Sequence, residues 1–96
     1  MRKYEAAIIL KPHFDDETAK TEIEKIQTLF TRFGATIEKV DEWGRRRLAY
    51  EIQKIREGIY YFITFTAEPG APAEIESRLR IAEEVLRYLI ISLDEN

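Results

Sequence analysis

The pattern of apolar residues along this chain is first typical of a strand and then of a helix. Tyr4 to Leu10 is apolar at both alternating sets of positions, which is typical of a strand buried on both faces and therefore central in a sheet. Pro12 ends this strand. Apolar positions then recur at helical spacing over about 18 residues, which predicts an amphipathic helix. Asp15 and Asp16 are its N-cap candidates, and Gly34 is expected just beyond its end.

A period of two returns after this helix. Residues 37–52 form a long extended segment, and Gly44 in its middle indicates a bulge or a bend. Gly58 is interpreted as a turn, and residues 59–67 follow as a strong strand with one unbroken apolar set, Tyr61, Ile63, Phe65 and Ala67. The connection after this strand is marked by a cluster of proline and glycine, Pro69, Gly70 and Pro72.

The last quarter of the chain allows two interpretations. Its apolar residues have the spacing of one long helix: Ile75, Leu79, Ala82, Leu86, Leu89 and Leu93. However, residues 88–93 are dense in strand-forming residues, and such a helix would be long for so small a domain. We therefore predict a short helix from Pro72 to about Ile81 and a strand from about Val85 to Leu93, although periodicity alone does not decide between the two.

The resulting order of elements is βαββαβ. Two split β-α-β units of this kind predict an α+β, ferredoxin-like fold, in which both helices pack on one face of a four-stranded antiparallel sheet. We expect residues 1–96 to form a single domain. The expected core is Ile8, Ile26, Phe30, Tyr61, Ile63, Phe65, Ile75 and Leu79. This fold alone does not indicate a function, because it hosts enzymes, sensors and RNA-binding proteins.

Charge is unevenly distributed along the chain. Fifteen Lys and Arg against 18 Asp and Glu give a net charge of −3, whereas a free-standing nucleic-acid-binding domain usually has a basic surplus. Residues 45–56 hold five basic residues and one acid, while residues 68–96 hold seven acids and three arginines. We therefore expect one surface that attracts anions and another that water or a basic partner covers.

Candidate catalytic and metal-binding residues are few. The absence of cysteine excludes disulfides and thiolate chemistry, and no apolar run approaches the ~20 residues of a membrane span. Without a signal-peptide pattern at its start, the chain is expected in the cytosol. His13 is interpreted as a solvated loop residue, and the acids at 15–17 as complements of a helix start. We expect no enzymatic activity, metal or cofactor.

The run Arg45-Arg46-Arg47 is the most unusual local feature. Guanidinium groups bind phosphate oxygens through bidentate, charge-assisted bonds, so the run fits contact with a nucleic-acid backbone. An exposed edge strand kept soluble by charge explains it equally well. Tyr60 and Phe62, on the second face of their strand, likewise fit either base stacking or packing against a protein. The signature of RNA-recognition motifs is not met after Gly58.

One block of the sequence resembles the signature region of a known family. Residues 44–54, Gly-Arg-Arg-Arg-Leu-Ala-Tyr-Glu-Ile-Gln-Lys, preceded by Ile-Glu-Lys-Val-Asp-Glu-Trp, are similar to the sixth protein of the bacterial small ribosomal subunit. The similarity runs nearly end to end and includes Arg2-Lys3-Tyr4-Glu5, Phe33-Gly34-Ala35, Gly58-Ile59-Tyr60-Tyr61, Leu79-Arg80-Ile81 and Val85-Leu86-Arg87. Glu51 stands where the family commonly has proline, and the longer charged C-terminal tail of many members is nearly absent.

The resemblance implies a fold and a role. It implies the βαββαβ fold, and with it a strand at the C-terminal end. It also implies binding to small-subunit ribosomal RNA in the central domain, as a heterodimer with the small basic eighteenth protein of the same subunit. A basic partner would explain how an acidic chain serves in RNA binding, because the partner would supply most phosphate contacts. No membrane or small-molecule partner is expected.

The resemblance also implies particular site residues. The expected RNA contacts are Arg2, Lys3, Arg45, Arg46, Arg47, Arg80 and Arg87, and the expected partner contacts are Tyr50, Tyr60 and Phe62. From its alternation with apolar neighbours, Arg87 is expected on the open sheet face or its rim rather than buried beside them. A homo-oligomeric ferredoxin-like regulatory or ligand-binding module is the alternative, and the block at residues 44–54 favours the ribosomal role.

Overall fold

A computed structural model describes residues 1–94 and has the predicted order of elements. These are strand β1 Arg2–Leu10, helix α1 Asp16–Arg32, strand β2 Thr36–Ile52, strand β3 Ile55–Ala67, helix α2 Ala71–Arg80 and strand β4 Val85–Ser92. The strands form one antiparallel sheet in the order β2-β3-β1-β4. The ferredoxin-like fold is confirmed, with β1 in the interior of the sheet and β2 and β4 at its edges.

Both helices cover the same face of the sheet. Alternate residues of β1 and β3 pack with the inner sides of α1 and α2 in a single core cluster, which includes all eight predicted core residues. The strand register explains why these residues share one core, since residues directly opposite one another in neighbouring strands point to the same side of the sheet. Ile8, for example, lies opposite Tyr61. The other side carries no helix, and we call it the open face.

Helix α1 begins and ends as its sequence predicts. The Asp15 side chain accepts a hydrogen bond of 2.7 Å from the Thr18 backbone N–H, so Asp15, rather than Asp16, is the N-cap. This bond is the main cause of a lowered pKa at the Asp15 carboxyl. Gly34 follows the end of the helix with φ +86°, a left-handed conformation that favours glycine.

The turn predicted at Gly58 is wrong. The chain reverses at Gln53 and Lys54, both with positive φ, and β3 already begins at Ile55. Gly58 lies inside β3, where an added Cβ would be 2.4 Å from Ile9 Cγ2 and 3.1 Å from the Leu10 carbonyl oxygen. A glycine is therefore needed here because strand β1 approaches closely, and not because the chain turns.

The C-terminal segment resolves into the predicted short helix and strand. Helix α2 ends at Arg80, and a backbone bond of 3.1 Å from Lys11 N–H to the Glu84 carbonyl ties the following connection to the end of β1. Strand β4 then pairs with β1. Among the described residues, no helix combines the length and the apolar character needed to cross a membrane.

Candidate nucleic-acid interface

The open face combines apolar side chains with arginine. Strand alternation places Tyr60 and Phe62 of β3 on this face, both partly buried. On edge strand β4 the same alternation places Arg87, Leu89 and Ile91 there, as predicted for Arg87, and the two apolar side chains are 57% and 45% exposed. Exposed leucine and isoleucine on one strand form an apolar strip of the kind that protein partners cover.

Arg45 is directed away from the open face. Its two terminal nitrogens donate to the backbone carbonyls of Pro12 and Phe14, in the loop between β1 and α1. It also contributes, less than the Thr18 bonds do, to the lowered pKa of Asp15. The Arg45 guanidinium therefore holds this loop against the sheet, which leaves it fewer free donors for phosphate.

Arg46 lies beside an exposed tryptophan that the sequence did not single out. The Arg46 guanidinium carbon is 5.3 Å from the centre of the Trp43 ring, and that ring is 4.6 Å from the centre of the Phe62 ring. Trp43 is nevertheless 52% exposed. Arg46 is exposed as well, and so is Arg47, which lies opposite Glu57. The one signal in the sequence was the position of the chain's single tryptophan two residues before the arginine run.

The β2–β3 hairpin folds across the end of the open face. Arg87 of β4 donates to the Tyr50 hydroxyl, and its guanidinium carbon lies 5.4 Å from the centre of the Tyr50 ring. The Leu48 side chain approaches Gly58 from the same direction. Tyr50 itself remains 59% exposed. The hairpin tip thus places a predicted partner residue against a predicted RNA contact.

The predicted RNA-binding residues fall into two groups. Register and element order place Arg45, Arg46, Arg47, Arg80 and Arg87 towards the end of the sheet where β1 stops. Arg2 and Lys3 lie at the opposite end, where the Lys3 ammonium is 3.3 Å from the Glu38 carboxylate. The Tyr88 hydroxyl, and less strongly Glu76, raise the pKa of Arg80. The structure therefore places five of the seven predicted residues at one end of the sheet, with Arg45 on its helix side, and the other two at the opposite end.

Such an arrangement suits contact with a phosphate backbone and a second protein. Arginines can position phosphates, and aromatic and aliphatic side chains between them can be desolvated by a partner. Among the described residues, no group of three or more His, Cys, Asp or Glu side chains is placed to hold a metal ion.

Comparison with known proteins assigns the chain to a family. The family model for ribosomal protein S6 matches residues 3–92. This chain belongs to the ribosomal protein S6 family. It is similar to small ribosomal subunit protein bS6 of Clostridium beijerinckii, with 48% identity over 96% of this chain and 97% of the relative. The corresponding protein of Clostridium acetobutylicum is 43% identical over 99% and 100% of the two chains.

The fold comparison agrees with this assignment. The crystal structure of 30S ribosomal protein S6 from Thermotoga maritima superposes with a TM-score of 0.89 at 30% identity, over 95% of this chain and 86% of that one. As a member of the S6 family, the chain is a protein of the small ribosomal subunit, and its place is the ribosome in the cytoplasm.

Proposed function

We propose that this S6-family protein is a structural, non-catalytic constituent of the small subunit that binds the central domain of its ribosomal RNA as a heterodimer with the basic eighteenth small-subunit protein. In this role it supports subunit assembly and translation. The observation that carries the proposal is the end of the sheet where exposed arginines adjoin an exposed apolar strip. The arginines suit contact with phosphate, and the apolar strip suits contact with a protein.

Net charge supports the need for a partner. A chain of net charge −3 gains little from general attraction to RNA, and its own basic residues can neutralise only a few phosphates. A basic protein on the open face would add phosphate contacts and would be attracted by the acidic surplus. The apolar strip gives this partner a surface to bury.

We assign the residue roles within this proposal from their contacts. Arg46, Arg47, Arg80 and Arg87 contact phosphates, and Arg2 and Lys3 provide a second, separate contact. Arg45 supports the loop that it already bonds, a structural role in place of the predicted RNA contact. Tyr50, Tyr60 and Phe62 contact the partner, together with Trp43 and the strip formed by Leu89 and Ile91.

A filter-binding titration tests the proposal directly. The labelled central domain of the small-subunit RNA is titrated with this protein alone, with the eighteenth protein alone and with both. We expect weak binding by this chain alone and much tighter binding when both proteins are present. Equal affinity with and without the partner would contradict the heterodimer.

The homo-oligomeric alternative makes a different prediction. A regulatory module of that kind would sediment as a free oligomer, whereas a small-subunit protein migrates with the subunits in a gradient and leaves them at high salt. A gradient that shows the protein only as a free oligomer would favour the alternative.

A further inference from the structure

The hairpin tip and the end of α2 enclose a small depression, and Arg80 is the one residue of its lining to which a role has been assigned. Its volume is about 210 Å³, and it is lined by Lys11, Gln53, Arg80, Ile81, Ala82, Glu83, Val85 and Leu86. Three separate parts of the chain meet there: the end of β1, the β2–β3 turn and the α2–β4 connection. The contact of Tyr50 with Arg87 holds the tip across the sheet towards this place.

The charge of the depression is positive. Lys11 and Arg80 line it, against one carboxylate, that of Glu83. The ion pairs formed by residues 1–94 use other cations, namely Lys3, Lys25, Lys39 and Arg56. Arg80 does interact with the Tyr88 hydroxyl, but a guanidinium carries further N–H donors, so both cations keep donors for a ligand. A volume of this size is large enough for a phosphate group and too small for a folded peptide.

The turn that forms one wall is strained. Gln53 has φ +52° and Lys54 has φ +65°, whereas a two-residue hairpin turn of this conformation normally uses asparagine and glycine. Side chains other than glycine cost roughly 1 kcal/mol each in the left-handed region. Strain of this kind is found where a side chain is needed at a binding site. Here the strained residue Gln53 lines the same depression as Lys11 and Arg80.

We propose that this depression binds one phosphate group of the ribosomal RNA backbone, with Lys11, Arg80 and the Gln53 amide as its ligands. Lys11 supplies a point charge and Arg80 a planar pair of donors, and the two come from separate segments that only the folded chain brings together. The inference rests on the proposed function, because it names a phosphate subsite within that RNA surface. It adds Lys11 and Gln53 to the predicted contacts.

The test measures how RNA affinity depends on salt in the complete complex. The double variant Lys11→Gln, Arg80→Gln is compared with wild type on the central-domain RNA with the eighteenth protein present. One phosphate contributes a slope of about 0.9 in the logarithm of affinity against the logarithm of salt, so its loss weakens binding about eightfold at 0.1 M salt. The matched control is Lys25→Gln, Arg32→Gln on exposed positions of α1, which we expect to leave the slope unchanged.

A second variant separates binding from folding. Gln53→Gly removes the amide and relieves the positive φ, so we expect a protein at least as stable as wild type in urea that binds the RNA more weakly. Weaker binding with retained stability supports the subsite. A Gln53→Gly protein that binds RNA as wild type does would overturn the role of the amide.

The outcomes distinguish this subsite from the proposed function. If the wild-type complex binds no RNA, the proposed function fails. If it binds with a salt slope that the 11/80 double variant shares, the subsite and the phosphate contact assigned to Arg80 are both wrong, while binding of the RNA by the two-protein complex stands. Inorganic phosphate is titrated into the isolated protein as a second arm, followed by amide NMR shifts at residues 11, 53 and 80. Saturation in the micromolar range would assign the site to a free phosphate ligand and overturn the RNA assignment.

Discussion

Replacing Gly58 by alanine tests how closely the hairpin packs on the central strand. The new Cβ would lie 2.4 Å from Ile9 Cγ2 and 3.1 Å from the Leu10 carbonyl oxygen. Carbon atoms in contact are normally about 3.5–4.0 Å apart, so one of the two groups must move by more than about 1 Å. Ile9 is β-branched and therefore stiff, and it is 9% exposed. We expect a loss of about 1–3 kcal/mol in the free energy of unfolding, the usual cost of overpacking.

Urea denaturation followed by circular dichroism measures this loss, with the slope against urea checked for constancy. Gly70→Ala is the matched control, because Gly70 has φ −81° and an added Cβ there meets no atom within 4 Å. We expect the free energy of unfolding of that control to differ from wild type by less than about 0.5 kcal/mol. Alanine restricts the unfolded chain, which stabilises the protein, but it is a weaker N-cap than glycine, and the two effects nearly cancel. If Gly58→Ala is as stable as Gly70→Ala, the close approach of the strands at Gly58 is refuted.

Three further changes test other parts of the structure. Ile8→Ala removes a fully buried side chain from β1 and should cost ~2–5 kcal/mol in chemical denaturation; less than ~1 kcal/mol would contradict its central position. Asp15→Asn should flatten the acid dependence of stability: the lowered pKa of Asp15 stabilises the fold above its usual value of 3.8, and this contribution is lost as pH falls through the lower, folded-state pKa. Urea midpoints that fall equally with pH in the variant and in wild type would contradict this role of Asp15. Arg87→Ala should reduce the salt slope of RNA binding by about one while the protein stays folded, and unfolding or an unchanged slope would make Arg87 a purely structural partner of Tyr50.

The layers of the fold were predictable because burial has a strong periodic signal. The alternation in β1 and β3 and the helical spacing in α1 and α2 predict the eight core residues, and the alternation in β4 predicts Arg87 on the open face. The C-terminal segment was harder, because its spacing fits a helix while its composition fits a strand. Pairing of β4 with the free side of β1 decides this in the structure, and that is a long-range interaction invisible to local periodicity.

The β2–β3 turn and the packing around it could not be predicted from local rules. A glycine in a strand-rich segment normally indicates a turn, so the sequence predicts one at Gly58, whereas Gln53 and Lys54, where the chain does turn, lack the usual turn chemistry. The role of Gly58 depends on Ile9, a residue far away in sequence. Trp43 was missed for a related reason: its contacts with Phe62 and Arg46 depend on the local irregularity of β2.

That irregularity decides what the arginines of the 45–47 run contact. Asp41 lies opposite Phe62, but Gly44, with φ +75°, lies opposite Tyr60, so β2 holds one extra residue between these pairs. With continuous pairing, Arg45 would lie opposite Gly58 and point to the open face. Because of the bulge it lies opposite Ile59, on the helix side, where it reaches the loop carbonyls. Arg46 takes the place opposite Gly58. One inserted residue therefore directs the first arginine of the run to the loop carbonyls and the second to the open face, where we propose that RNA and the partner bind.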